Sequence, residues 1–214
     1  MTRIALIHAL AHSIAPINEA MVRDWPPATR MNLLDDSLSA DLAAGSGLDA
    51  AMHERFERLA QYAVDCGSHA ILFTCSAFGP CIEAVARNHA PLPVLKPNEA
   101  MVADAAAIEL RVGLVASFGP TLQSMPPEFP AGVELECALA GGALAALNAG
   151  DPQLHDDLIV RTALELARRG CKAIALAQFS MARARSRVAA ETGLPVLTTV
   201  DSAVAALKRR LGVG

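Results

Sequence analysis

Short apolar runs alternate with longer amphipathic stretches along the whole chain. The runs are RIALIHAL (3–10), RMNLLDD (30–36), HAILFTCS (69–76), LPVLKP (92–97), RVGLVASF (111–118), VELECALA (133–140), CKAIALAQ (171–178) and LPVLTTV (194–200). They are rich in Leu or β-branched residues and lack strict apolar–polar alternation, the pattern of strands covered on both faces, as in parallel sheets. Between them the period becomes helical. LDAAMHERFERLAQYAVDCG (48–67) sets Met52, Phe56, Leu59 and Ala63 on one face and ends on Gly67, a candidate helix stop. DPQLHDDLIVRTALELARRG (151–170) opens on Asp-Pro, an N-cap followed by a first-turn proline, and closes on Gly170. Strands alternating with helices predict an α/β fold with a mainly parallel sheet.

The chain also repeats itself. HAILFTC (69–75) followed by LPVLKPNEAMVADAA (92–106) resembles KAIALAQ (172–178) followed by LPVLTTVDSAVAAL (194–207), and RIALIHAL pairs with RVGLVASF. A repeat this long is a duplicated α/β lobe and not a solenoid unit. The expected architecture is two pseudosymmetric lobes, each a mainly parallel four-stranded sheet flanked by helices, with the active site in the cleft between them. The N-terminal lobe should hold residues 1–98 plus 198–214 and the C-terminal lobe 99–197. The duplication sets Cys75 against Gln178, each ending the third strand of its half. Ligands of open α/β sheets bind outside the carboxyl ends of the strands, where 8–13, 74–79, 117–121 and 178–181 all fall.

Composition narrows the function classes. The chain is 53% hydrophobic but only 4% aromatic, so its core must be aliphatic. With a formal charge of −4 and mixed charges, it shows no basic stripe with interleaved aromatics, so no nucleic-acid partner is expected. Arg183, Arg185 and Arg187 read as the solvated face of a helix. No apolar run reaches the roughly 18 residues of a membrane span, and RIALIHAL is too short and abrupt for a signal peptide. The expectation is a cytoplasmic protein without a membrane partner. Five cysteines, at 66, 75, 81, 137 and 171, are an odd count that argues for free thiols. No CxxC or close Cys/His pair points to a metal, and neither a phosphate loop nor GxGxxG points to a nucleotide. No cofactor is expected.

The strand ends carry the candidate chemistry. Thr74-Cys75-Ser76 offers one nucleophile or base between two hydroxyls, just before a Gly79 that opens a helix. Cys75 reads either as a small buried hydrophobe or as a thiol tuned by the helix terminus. Cys81 falls inside the following helix, and a redox pairing with Cys75 stays open. Ser117-Phe118-Gly119-Pro120-Thr121 has hydroxyls and backbone N–H groups able to hold a carboxylate. His8 and His12 straddle the corresponding turn of the first half. Lys96 either counters an anionic substrate or pairs with Glu99, and Asp35-Asp36 reads as a turn or N-cap.

Together these motifs resemble the aspartate/glutamate/hydantoin racemase superfamily over nearly the whole chain. Thr74-Cys75-Ser76 is similar to its first cysteine motif, and Ala116-Ser117-Phe118-Gly119-Pro120-Thr121 to its carboxylate-binding turn with one extra residue. Leu176-Ala177-Gln178-Phe179-Ser180-Met181 is similar to its second cysteine motif. The resemblance implies a cofactor-independent isomerase of racemase type acting at the carbon α to a carboxylate or carbonyl. Cys75, Gln178 and His8 would be its catalytic positions, and Thr74, Ser76, Ser117, Gly119, Thr121 and Phe179 its substrate-binding ones. Two departures stand out. Gln178 occupies the second cysteine's place, and Ser76-Ala77 replaces the Asn-Thr of the amino-acid racemases.

With Cys75 alone, three chemistries stay open. One is proton transfer on one face, as in a decarboxylase or tautomerase. A second is a Cys75 nucleophile in an isomerase. The third is racemisation with a second base, for which His8 is the nearest candidate. A small-carboxylate binding protein that has lost catalysis is the non-enzyme alternative. The expected partner is a small carboxylate or carbonyl substrate, and the resemblance leaves a homodimer open.

Overall fold

The computed structural model describes residues 1–45 and 47–213. Two compact units divide the chain: Met1–Pro97 with the segment from Ala203 onward, and Asn98–Ser202. The first unit contains β1 (Arg3–His8), α1 (Ile14–Asp24), β2 (Thr29–Leu34), α2 (Leu38–Ala44), α3 (Ala50–Asp65), β3 (Ala70–Phe73), α4 (Gly79–Asn88) and β4 (Val94–Leu95). The second opens with α5 (Glu99–Ala107) and continues through β5 (Val112–Ala116), α6 (Thr121–Ser124), β6 (Leu135–Leu139), α7 (Ala143–Asn148), α8 (Pro152–Arg168), β7 (Ala173–Leu176), α9 (Arg185–Thr192) and β8 (Val196–Thr198). The last helix, α10 (Thr199–Arg210), begins in the second unit and ends in the first.

Each unit is built on one four-stranded sheet, in the orders β2-β1-β3-β4 and β6-β5-β7-β8. All the strand pairs are parallel. Every apolar run of the sequence thus carries a strand, and the duplication is exact in topology. The ladders also agree: Ile4 pairs with Ala70 where Val112 pairs with Ala173. Leu6 pairs with Asn32 where Leu114 pairs with Cys137.

The central strands β3, β5 and β7 are buried throughout, as runs covered on both faces should be. The edge strands β2 and β6 depart from that expectation. They keep partly exposed positions along their length, whereas the edge strand β4 is buried.

Helices close each core. Asp49 caps α3, accepting from the Met52 N–H at 2.9 Å, and Asp151 caps α8, accepting from the Leu154 N–H at 3.0 Å. Gly67 and Gly170 follow the two helix ends in the left-handed conformation, with φ of 75° and 93°, where a side chain would be strained. The buried stripe of α3 is Met52, Phe56, Ala60 and Ala63, with Leu59 half-buried beside it. Phe56 stacks on Phe73 at 5.2 Å between ring centroids and meets Phe78 at 4.9 Å, fixing the core behind β3. Gly113 on central β5 allows close approach of α8, since a Cβ there would lie 3.0 Å from the Leu166 side chain.

Arg183, Arg185 and Arg187 keep solvent exposure, as expected, and each is also ion-paired. Arg183 meets Asp156, Arg185 meets Asp201, and Arg187 meets Asp157. Sequence-distant acidic residues from α8 and α10 supply the counter-charges.

Candidate active site

β3 ends at Phe73, but its ladder runs one residue further: the Thr74 N–H donates to the Ile7 carbonyl at 3.0 Å. Cys75 follows in extended conformation and hands over to a single 3-10 turn, Ser76–Phe78, before α4 begins. The turn folds back so that the Ala77 N–H donates to the Cys75 sulfur. Burial pushes the Cys75 thiol up from its ordinary range, and the Ala77 hydrogen bond only partly offsets it. Cys75 and Ser76 both keep partial exposure, whereas Cys81 points into the core from α4. Cys75 and Cys81 are both free thiols.

Thr74, by contrast, is buried and belongs to a polar seam. Its hydroxyl lies 2.9 Å from Nδ1 of His8 and 3.0 Å from Oγ of Ser13. His8, the last residue of β1, is fully buried, and its Nε2 lies 3.1 Å from Asn32 Oδ1. The seam determines its own protonation. Asn18 Nδ2 donates to the Ile14 carbonyl at 2.8 Å, which can only accept, and also reaches Asn32 Oδ1 at 3.0 Å. Asn32 therefore turns its oxygen toward His8, and His8 carries its proton on Nε2. Nδ1 is left as an acceptor. Ser13 spends its proton on the Leu10 carbonyl at 2.7 Å, so Thr74 is the donor to Nδ1. Burial holds His8 below the usual imidazole range, with the Asn32 hydrogen bond pulling weakly the other way.

The second unit repeats the backbone and changes the chemistry. The Ala177 N–H donates to the Val115 carbonyl at 2.9 Å, as Thr74 does to Ile7. Gln178 therefore stands at the Cys75 position, extended and followed by a 3-10 segment, Phe179–Ala184. Its Oε1 accepts from the Ser117 N–H at 2.8 Å. The Gln178 Nε2 group carries two hydrogens that can donate. Ser117 is buried, and its hydroxyl has no hydrogen-bond partner among the described residues. Thr121 and Phe179 are buried, while Gly119 is partly open, with nothing within 4 Å of where its Cβ would be. In the ladder positions of His8, Thr74 and Asn32 the second unit has Ala116, Ala177 and Cys137.

The structure thus gathers His8 with Thr74, and Ser117 with Gln178. Lys96 ion-pairs with Glu83 of α4 at 2.8 Å. Asp35 is bound by Arg55, which holds its carboxyl below the usual range against the desolvation that opposes it. Among the described residues no group of His, Cys, Asp and Glu is placed to hold a metal. No helix there is long and apolar enough to cross a membrane.

A family model described as Asp/Glu/Hydantoin racemase matches residues 15–207. The chain belongs to the Asp/Glu/hydantoin racemase family. Solved structures agree at the level of fold. Aspartate racemase from Picrophilus torridus superposes with a TM-score of 0.76 at 11% identity, covering 99% of this chain and 95% of that one. Allantoin racemase from Klebsiella pneumoniae gives 0.70 at 18%, covering 100% and 90%. Unliganded arylmalonate decarboxylase gives 0.67 at 19%, covering 100% and 94%. No curated protein matches the sequence directly. Membership of the racemase family supports an enzyme of racemase or isomerase type.

Two strand-end residues of this racemase-family chain escaped the sequence reading. Thr199 after β8 and Asn98 after β4 are buried, and the Thr199 hydroxyl and the Asn98 Oδ1 lack hydrogen-bond partners among the described residues. Unpaired buried polar atoms are uncommon and call for a reason. The rule that singled out Cys75 and Gln178, polar residues just past a strand, finds both when applied to the fourth strand of each half.

Proposed function

We propose that the protein is a cofactor-independent racemase- or isomerase-type enzyme. It acts at the carbon α to a carboxylate or carbonyl of a small acid, such as an amino acid or hydantoin, with Cys75 as acid/base. One observation carries the reading: a thiol and a clamped amide occupy the same ladder position of two repeated units. The Cys75 thiolate takes the α-proton and the C–H electron pair moves onto the carbonyl oxygen; a proton returned by the Cys75 thiol restores the same configuration, and net isomerisation needs a second acid to deliver a proton elsewhere on the enolate. The Ala77 N–H stabilises the thiolate form. The enolate oxygen needs preorganised donors, for which the Gln178 Nε2, the Ser117 and Ser76 hydroxyls and the turn at Gly119 and Thr121 are suited. His8 acts through Thr74, because both its nitrogens are engaged within the seam.

The same geometry favours a second reading, a single-cysteine decarboxylase. A thiol that burial keeps protonated is a proton donor first, and the Gln178 amide exchanges no proton at neutral pH. Loss of CO₂ from a malonate leaves its electron pair as an enediolate, the Cys75 thiol protonates that carbon, and solvent restores the thiol.

Incubation in D₂O with amino acids, hydantoins and malonates tests both. Deuterium entering Cα with retained configuration, and lost in Cys75→Ala, is the expected result. Racemisation would require a second acid, and CO₂ release selects the decarboxylase. Tight binding without exchange, indifferent to Cys75→Ser, would leave a binding protein. Loss of catalysis that is no greater in the Cys75→Ala/Gln178→Ala double variant than in Cys75→Ala alone is expected if both residues serve one substrate.

A further inference from the structure

The long helices α3 and α8 take matching places in the two units. Counted back from Gly67 and Gly170, Phe56 and Ile159 share one helix position, and so do Met52 and His155. An apolar core position of the first unit is thus a histidine in the second, and that histidine is fully buried. Asp156 beside it is buried as well. Burying a polar pair where a methionine would serve costs free energy unless its hydrogen bonds are made. Here they are made within the pair and to one arginine. His155 Nδ1 lies 2.8 Å from Asp156 Oδ1, and Arg183 Nε donates to both Asp156 oxygens, at 2.9 and 3.1 Å. A carboxylate paired with arginine only accepts, so His155 carries a proton on Nδ1.

Arg183 sits in the segment that begins directly after Gln178. Phe179–Ala184 is a 3-10 helix of 6 residues, whereas the first unit follows Cys75 with the 3 residues Ser76–Phe78 and then enters α4. The 3-10 ladder has poor hydrogen-bond geometry, and runs longer than about four residues are uncommon. The longer segment therefore needs support from outside itself. Phe179, Met181 and Ala184 are buried, Arg183 is tied to Asp156, and just past the segment Arg185 is tied to Asp201. The shorter turn of the first unit carries no arginine. The Met181 N–H donates to the Gln178 carbonyl at 3.0 Å, so the residue that presents the amide is also the first link of this ladder.

We infer that the His155–Asp156 pair positions the Gln178 amide. The pair holds Arg183, Arg183 holds the 3-10 segment, and the segment keeps Gln178 in the extended conformation from which its Oε1 reaches the Ser117 N–H. Its bearing on catalysis rests on the proposed role of that amide. Hydrogen exchange at the Ser117 amide reads the clamp directly, because Gln178 Oε1 is what that N–H donates to. In the full chain, Asp156→Asn and Arg183→Gln should each speed this exchange about tenfold and shift the Gln178 side-chain amide resonances. Asp157→Asn is the control. Asp157 is the next residue of α8, and its partner at 2.7 Å is Arg187, which lies in α9 beyond the segment. That variant should leave the Ser117 amide as it is in the wild type.

Unchanged Ser117 exchange in Asp156→Asn and Arg183→Gln would overturn the inference. Equal acceleration in Asp157→Asn would overturn it too, because the effect would then be a general loosening of α8. Should Asp156→Asn fail to fold, Arg183→Gln decides alone, since that side chain is 41% exposed and its loss leaves the buried pair in place. Exchange of the substrate α-proton separates the inference from the proposed function. A faster Ser117 amide with α-proton exchange undiminished would leave the positioning standing and remove the amide from the reaction. Loss of α-proton exchange with the Ser117 amide untouched would do the reverse.

Discussion

The two units share a backbone and differ in what they hold at its carboxyl edge. Beside Cys75 the first unit packs a polar seam in which Asn18, Asn32, His8 and Thr74 bond one another and Ser13 donates to the Leu10 carbonyl. At the corresponding ladder positions the second unit packs Ala116, Ala177 and Cys137, and it secures Gln178 by one backbone N–H. Strand order, register, helix caps and glycine stops are common to both. The difference teaches that the apolar pattern maintains the scaffold, while strand-end side chains are free to diverge because no ladder hydrogen bond depends on them. A fully satisfied seam makes the thiol's support rigid. A lone clamp plus an unsatisfied Ser117 hydroxyl leaves donors available to a ligand.

Breaking the asymmetry should have graded effects. Cys75→Ala should lower α-proton exchange by about a thousandfold, read by NMR in D₂O. Gln178→Ala keeps the thiol and removes an amide donor, so exchange should fall by about a hundredfold. On the central strand, Gly113 in the second unit matches Ala5 in the first. Gly113→Val drives methyls into Leu166 and should cost up to about 3 kcal/mol in denaturant unfolding.

Removing His8 tests the seam. His8→Ala strands the Thr74 and Asn32 groups and should cost about 1–2 kcal/mol. It should also flatten a pH dependence. Because burial lowers the folded-state pKa of His8, the unfolded chain binds more protons below about pH 6.5. Wild-type stability should therefore be full above that value and decline as pH falls through the lowered one. The variant should lack that part of the decline, measured as unfolding midpoint against pH. The smallest effects should be equal ones: Asp49→Ala and Asp151→Ala remove matching caps and should each cost about 1 kcal/mol.

Much of this was legible in the chain. The apolar runs marked all the strands, Asp-Pro and the two glycines marked helix ends, and the repeat placed Cys75 and Gln178 at like positions. The misses share a cause. The strands β2 and β6 look like buried runs until the elements that cover their faces are known. On α3 the buried stripe passes through Ala60 more fully than Leu59, because a helix packs where its neighbours are. Arg183, Arg185 and Arg187 are solvated as expected, but their acidic partners Asp156, Asp201 and Asp157 come from elsewhere in the fold and could not be named from the chain. Thr199 and Asn98 carried the strand-end signal but lay on the fourth strand of each half.

Local period and duplication, then, are properties of the sequence itself, since burial of apolar faces follows spacing and a repeated segment must fold to a repeated shape. What the thiol is, and what surrounds it, belonged to the tertiary structure. Whether burial or the helix terminus prevails at Cys75 depends on how many atoms exclude water from it, and burial prevails. The tautomer of His8 depends on Asn18, Asn32, Ser13 and Thr74, which lie far apart along the chain and meet only when β1, β2, β3 and α1 pack. Hydrogen-bond partners and desolvation are pairwise properties of space, and no pattern along one strand of sequence encodes them.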